Sequence, residues 1–170
     1  MAVVLIICPL RGCRPTEYAA LFQVEIWNAS ASLAEKLFIA FIQESIKELQ
    51  AKGPAVKLAG IFYHVGENDM AVGDYRNEAA KWLQSTVAKS RQDLTLPALK
   101  WYVSQQPPAE EKGLNAIDVT GKIAALAASD PAFIHLKAFD LPPQPEKLVI
   151  TSAGIVQLGE LLARGYLERK

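Results

Sequence analysis

Four polar side chains crowd the end of the stretch Leu58 to Asp69, LAGIFYHVGEND: His64, Glu67, Asn68 and Asp69, with Gly66 among them. These types suit acyl transfer or ligand binding. A carboxylate held here can orient a catalytic histidine, and an asparagine amide can donate to a developing oxyanion. Each residue also has an ordinary structural use. Asn and Asp are common turn residues, so Asp69 can simply cap a turn. A lone histidine between Tyr63 and Val65 can be a hydrogen-bonded structural residue. His135, alternating with Ile134 and Leu136, reads more plainly as structural. Cys8 and Cys13 stand near Arg11 and Arg14, whose charges can lower a thiol pKa. Most free cysteines are nonetheless small buried hydrophobes.

The apolar run ahead of the cluster must position it. Lys52-Gly53-Pro54 in front and Gly66 behind bound it, the pattern of an interior strand in a parallel sheet. Ligands in open α/β sheets sit in the crevice beyond the strand carboxyl ends, where His64, Glu67, Asn68 and Asp69 would lie. Val3 to Cys8, VVLIIC, is β-branched and continuous, and predicts a central strand ended by Pro9, Gly12 and Pro15. Ser32-Leu33-Ala34-Glu35 is a capping box that opens a helix. Ala34, Leu37, Phe38, Phe41, Ile42, Ser45, Ile46 and Leu49 form its apolar stripe, and Gly53-Pro54 stop it.

After the organising strand, Asp74 is the expected N-cap of a second helix with Tyr75, Ala79, Trp82, Leu83, Thr86 and Val87 on one face and Arg91 in its last turn. Pro97 to Ser104 predicts a strand, Ala116 to Ser129 a helix, and Phe133 to Phe139 a short strand. Thr151 or Ser152 caps a last helix carrying Ile155, Val156, Leu158, Leu162, Ala163 and Tyr166. Thr16 to Asn28 has no clean period and leans to helix. Pro107 to Gly113 is either a solvated connection or a loop overhanging a site. Strands alternating with helices predict a three-layer α/β/α fold with a parallel sheet.

At 170 residues the chain is a natural single domain, and with 51% apolar residues it is long enough to bury a proper core. Its 18 basic and 18 acidic residues cancel, with no basic window, which argues against nucleic acid and against a polybasic membrane anchor. No run reaches the roughly 20 apolar residues of a membrane span, and Ala2 to Cys8 lacks the charged start of a signal peptide. Two cysteines and two histidines give no disulfide framework and no metal-ligand spacing. The expectation is a reduced, soluble, cytoplasmic protein with no metal and no cofactor.

Gly60 to Asp69, GIFYHVGEND, resembles the signature of sialate O-acetylesterase-like and acetylxylan esterase-like carbohydrate esterases, members of the SGNH hydrolases. Their corresponding strand ends in Trp-His-Gln-Gly-Glu-Ser-Asp. His64, Gly66, Glu67 and Asp69 match, and Val65 stands where the glutamine is expected. Gly66, Asn68 and Asp69 also fit the broader Gly-x-Asn-Asp pattern, whose asparagine contributes to the oxyanion hole. Ser32 to Lys36, and Ile150 to Gly154 followed by Leu158-Gly159, resemble two flanking family segments. The resemblance covers about Ser30 to Leu167 and leaves 1–29 divergent. It implies a flavodoxin-like parallel sheet, a carbohydrate ester as ligand, Glu67 as the acid that orients the catalytic histidine, and His64, Gly66, Asn68 and Asp69 as binding or oxyanion groups.

The departures concern the reacting groups. The family nucleophile is a serine in Gly-Gln-Ser-Asn after the first strand, whereas here Cys8-Pro9-Leu10-Arg11-Gly12 follows and no serine precedes Ser30. The catalytic histidine would stand five residues before Gly154, at Val149, with Glu146 in place of its aspartate. The Gly-Gly ahead of Ser32 is missing too. A serine esterase without its nucleophile or base loses most of its rate. Three readings follow: a degenerate or N-terminally truncated esterase domain; a non-catalytic carbohydrate-binding or interaction module on the same scaffold; or a hydrolase with relocated groups, such as Cys13 or Ser30 with His64.

Overall fold

The computed structural model describes residues 2–8, 31–51, 56–108, 113–138 and 151–169, with the backbone alone for 2–8, 31–35, 56, 67 and 68. Along the chain these form β1 (Ala2–Cys8), α1 (Ala31–Ala51), β2 (Val56–Val65), α2 (Glu67–Ala71), α3 (Gly73–Asp93), β3 (Trp101–Gln105), α4 (Val119–Ser129), β4 (Phe133–Lys137) and α5 (Ser152–Leu167). All strand pairings are parallel. The sheet order is β1-β2-β3-β4, so each described strand lies beside the next described one in sequence.

That order dictates where the helices go. Successive crossovers of one hand, all stepping the same way, put their helices on the same sheet face. Ile42 of α1, Leu83 and Val87 of α3 and Ile123 of α4 accordingly share one core with Leu58, Ile61, Val65, Trp101, Val103 and Phe133. Helix α5 follows the last strand and covers the opposite face. There Leu158, Leu161, Leu162 and Tyr166 meet Phe62, Tyr102, Ile134 and Leu136. The period-two alternation of β2 and β3, Ile61 and Trp101 to one side and Phe62 and Tyr102 to the other, supplies both faces. The predicted three-layer α/β/α arrangement is what the packing gives.

Several elements depart from the sequence expectation for identifiable reasons. Helix α3 starts at Gly73 behind an extended Val72 that makes no side-chain cap, so Asp74 lies inside the first turn, where its charge favours the dipole instead of capping. Arg91 falls in the last turn as expected. Strand β3 starts at Trp101, not Pro97, because turns with Leu96 N bonded to Arg91 O and Leu99 N to Leu96 O occupy the preceding residues. Helix α4 starts at Val119, later than expected, with Asp118 accepting from Gly121 N. Thr151 is the N-cap of α5.

Leu37 and Phe41 of α1 and Trp82 of α3, expected on buried stripes, are exposed, Phe41 at 62%. Phe38 and Ile42 carry the inward face instead, with Phe38 packed near Trp101. The segment Thr16 to Asn28, expected to lean to helix, and the capping-box side chains of Ser32 and Glu35 lie outside the described residues.

Candidate strand-end site

Strand β2 ends at Val65, and after the single residue Gly66 the chain enters the five-residue helix α2. Glu67, Asn68 and Asp69, read from the sequence as a turn, are therefore the first three residues of a helix. They are presented together at the carboxyl end of a central strand. The side chains of Glu67 and Asn68 lie outside the described residues, and Asp69 is half-buried. Met70, 1% exposed, plugs α2 into the core shared with Val65, Ala79 and Val119. A Cβ built on Gly66 meets nothing within 4 Å. Neither close packing nor a positive φ explains that glycine, because the one described glycine with positive φ is Gly113. Among the described residues, space is open at Gly66 beside the polar cluster.

His64 lies two residues earlier and is directed differently. It pairs in register with Ser104 of β3, and its Nδ1 is 2.9 Å from the Ser104 hydroxyl. Strand alternation puts both side chains on the α5 face with Phe62 and Tyr102. The Ser104 hydroxyl also reaches the Tyr63 carbonyl at 3.4 Å. Its single proton, donated there, leaves it to accept from His64 Nδ1–H, and Nε2 then carries a lone pair. That Nε2 is buried and meets no partner among the described residues. Burial pushes the imidazole down to about 4, so His64 is neutral at pH 7 and weak as a base.

On the opposite face, the end of β3 holds a second polar group. The fully buried Gln105 donates through Nε2 to Thr120 Oγ1 of α4 at 2.8 Å. Its Oε1 lies 2.7 Å from His135 Nε2 of β4. The His135 pKa is lowered, first by burial and then by the neighbouring Lys137. Backbone bonds from Gln106 N to Val65 O at 3.1 Å and from Ala138 N to Gln105 O at 3.2 Å lace the strand ends together. Arg76 of α3, also buried, donates to the carbonyls of Met70 and Ile117. Sequence reading passed over Ser104, Gln105, Thr120 and Arg76. For Gln105 the available signal is its type, a polar residue directly after an apolar strand run.

The fold thus keeps Gly66, Glu67, Asn68 and Asp69 as one unit and directs His64 to Ser104. Cys8 ends β1 in register with Tyr63. Cys13, Ser30, Glu146 and Val149 lie outside the described residues. Among the described residues there is no group of three or more His, Cys, Asp or Glu able to hold a metal ion. No described helix is long and apolar enough to cross a membrane.

A parallel three-layer α/β/α domain with its polar groups gathered where central strands end defines the class of protein. The chain belongs to the carbohydrate esterase, sialic acid-specific acetylesterase family, whose model matches residues 20–168. It is also similar to a protein of Arabidopsis thaliana solved by X-ray crystallography, with a TM-score of 0.62 and 24% identity. That likeness covers 86% of this chain but 56% of the plant protein, so the chain spans little more than half of that structure. No curated protein sequence matches.

Proposed function

We propose that the chain is a carbohydrate-esterase domain that keeps the crevice for an acetylated sugar and does not carry out acyl transfer by itself. The observation that carries this reading is internal to the sequence: Val149 stands where the family resemblance puts the catalytic histidine. Valine can neither take a proton from a nucleophile nor return one to a leaving group. His64 is a poor substitute, since it is turned toward Ser104 on the α5 side of the sheet and burial makes its ring a weak base. In this reading Glu67 occupies the acid position without a histidine to orient, Asn68 offers the amide donor, and Gly66 and Asp69 frame the ligand.

A second reading, a non-catalytic carbohydrate-binding module on the same scaffold, is favoured by the open space at Gly66.

The test is hydrolysis of an aryl acetate and of an O-acetylated sialic acid by wild type and Glu67→Gln, with thermal-shift titration of the same sugar and its de-O-acetylated form. The expected result is no turnover that depends on Glu67, together with stabilisation by the acetylated sugar. Robust turnover abolished by Glu67→Gln would overturn the proposal. A covalent adduct with a serine- or thiol-directed acyl probe would point to the relocated nucleophiles Ser30 or Cys13.

A further inference from the structure

We propose that Arg76 is the positioning residue of the strand-end site, holding the helix that carries Glu67, Asn68 and Asp69 against the turn leading into α4. The inference rests on the reading of the β2 end as the ligand site. Arg76 is 4% exposed, and a charged side chain is almost never buried that far unless its donors are taken. Its Nη1 donates to Met70 O at 3.2 Å and its Nε to Ile117 O at 3.1 Å. These acceptors belong to separate segments on either side of α3.

Each contact meets a local need. A helix as short as α2 cannot hold itself by its own hydrogen bonds, and its last carbonyls have no intrahelical donors. Arg76 supplies one of them. Ile117 O, the other acceptor, also accepts from Val119 N at 2.9 Å where α4 begins. From there Thr120 of α4 bonds Gln105 at the end of β3. The location of α2 is thereby referred back to the strand ends through one guanidinium. Lysine has the charge but not the planar fork that reaches two carbonyls at once.

The test uses the full chain with Arg76→Lys, Arg76→Met and, as a reference for global destabilisation, Leu162→Ala on the opposite sheet face. Two quantities are read: amide exchange of α2 against that of β3, and the affinity for an O-acetylated sialic acid. In Arg76→Lys, β3 should stay protected while α2 exchanges about tenfold faster or more, the loss expected for one hydrogen bond to a charged group. Sugar affinity should fall by a similar factor. Arg76→Met should do the same more severely, whereas Leu162→Ala should loosen both segments together and leave affinity unchanged. If α2 and β3 in Arg76→Lys loosen in step, as in Leu162→Ala, Arg76 is only a core brace and the proposal is overturned. A wild-type chain that binds no sugar counts against the ligand site alone, and the exchange comparison still decides whether Arg76 holds α2.

Discussion

The His64 imidazole and the Ser104 hydroxyl lie 2.9 Å apart on strands paired residue for residue, and the second imidazole nitrogen is buried without a partner among the described residues. A protonated His64 would need a second acceptor that the described residues around it do not offer. The neutral ring is therefore a condition of the native packing between β2, β3 and α5.

Acid should destabilise the fold through this ring. The native His64 pKa is about 4, below the ordinary value of 6.5. Between those two pH values the unfolded chain binds a proton that the native chain refuses, so stability is intact above pH 6.5 and falls as pH drops toward 4. The full loss amounts to about 3 kcal/mol. His135, also lowered, contributes with the same sign. Denaturant midpoints from pH 7 to pH 4.5 should decline, and His64→Gln should flatten the decline. With two histidines in the chain, proton NMR can follow each titration separately. A His64 that titrates near 6.5 would refute the account.

Removing both members of the pair should cost less than the two single losses added together. Ser104→Ala leaves His64 Nδ1 buried and unpaired, at a cost of about 1–3 kcal/mol. His64→Phe leaves the hydroxyl with only its 3.4 Å contact to the Tyr63 carbonyl. In the double variant neither orphan remains, so its destabilisation should be less than the sum of the singles, with a coupling of about 0.5–3 kcal/mol. Strict additivity in urea melts would mean that the contact carries no energy.

Gly60 should not tolerate a methyl group. A Cβ at this position of β2 would come within 2.8 Å of the Tyr102 ring and 3.0 Å of the Lys100 carbonyl. Tyr102 cannot retreat, because it is stacked on Phe62 at 5.0 Å and met edge-on by Tyr166. Gly60→Ala should therefore destabilise by about 1–3 kcal/mol, the usual range for overpacking. Gly66→Ala, with nothing within 4 Å of its Cβ, should change stability far less. Melting temperatures of the two variants make the comparison, and equal values would contradict it.

The layers were legible in the sequence because they rest on periodicity. Ile61, Phe62, Trp101 and Tyr102 alternate between faces, and the stripe on α3 could be counted without knowing its partner. The errors came where a local signal met a tertiary demand. Asp74 is a good cap residue, but the helix begins at Gly73, so the acid falls inside it. Gly66-Glu67-Asn68-Asp69 has turn composition, yet Met70 is buried and its carbonyl is taken by Arg76, and the segment closes into a helix. The partnerships of His64 with Ser104 and of Gln105 with His135 could not be read in advance. They depend on the register between strands, which the sequence of one strand does not encode. The candidate residues Gly66 to Asp69 were legible as a cluster, while the groups that brace them are distant in sequence.

The Gln105 network offers the sharpest electrostatic test near the strand ends. Gln105 lies between a hydroxyl donor or acceptor, Thr120, and an imidazole 2.7 Å away, His135. Gln105→Glu keeps the shape, and Thr120 can still be satisfied by donating to the carboxylate. The new negative charge beside His135 favours imidazolium, so the His135 pKa should rise from its lowered native value. Stability gained from that pairing is present at low pH and is lost as pH rises through the new His135 pKa. Gln105→Leu behaves differently, since it leaves both His135 and Thr120 without their partner and should cost about 1–3 kcal/mol at neutral pH. NMR titration of His135 in wild type and Gln105→Glu measures the shift directly. An unchanged or lowered His135 pKa in Gln105→Glu would mean that the side chains do not meet across β3 and β4 as described.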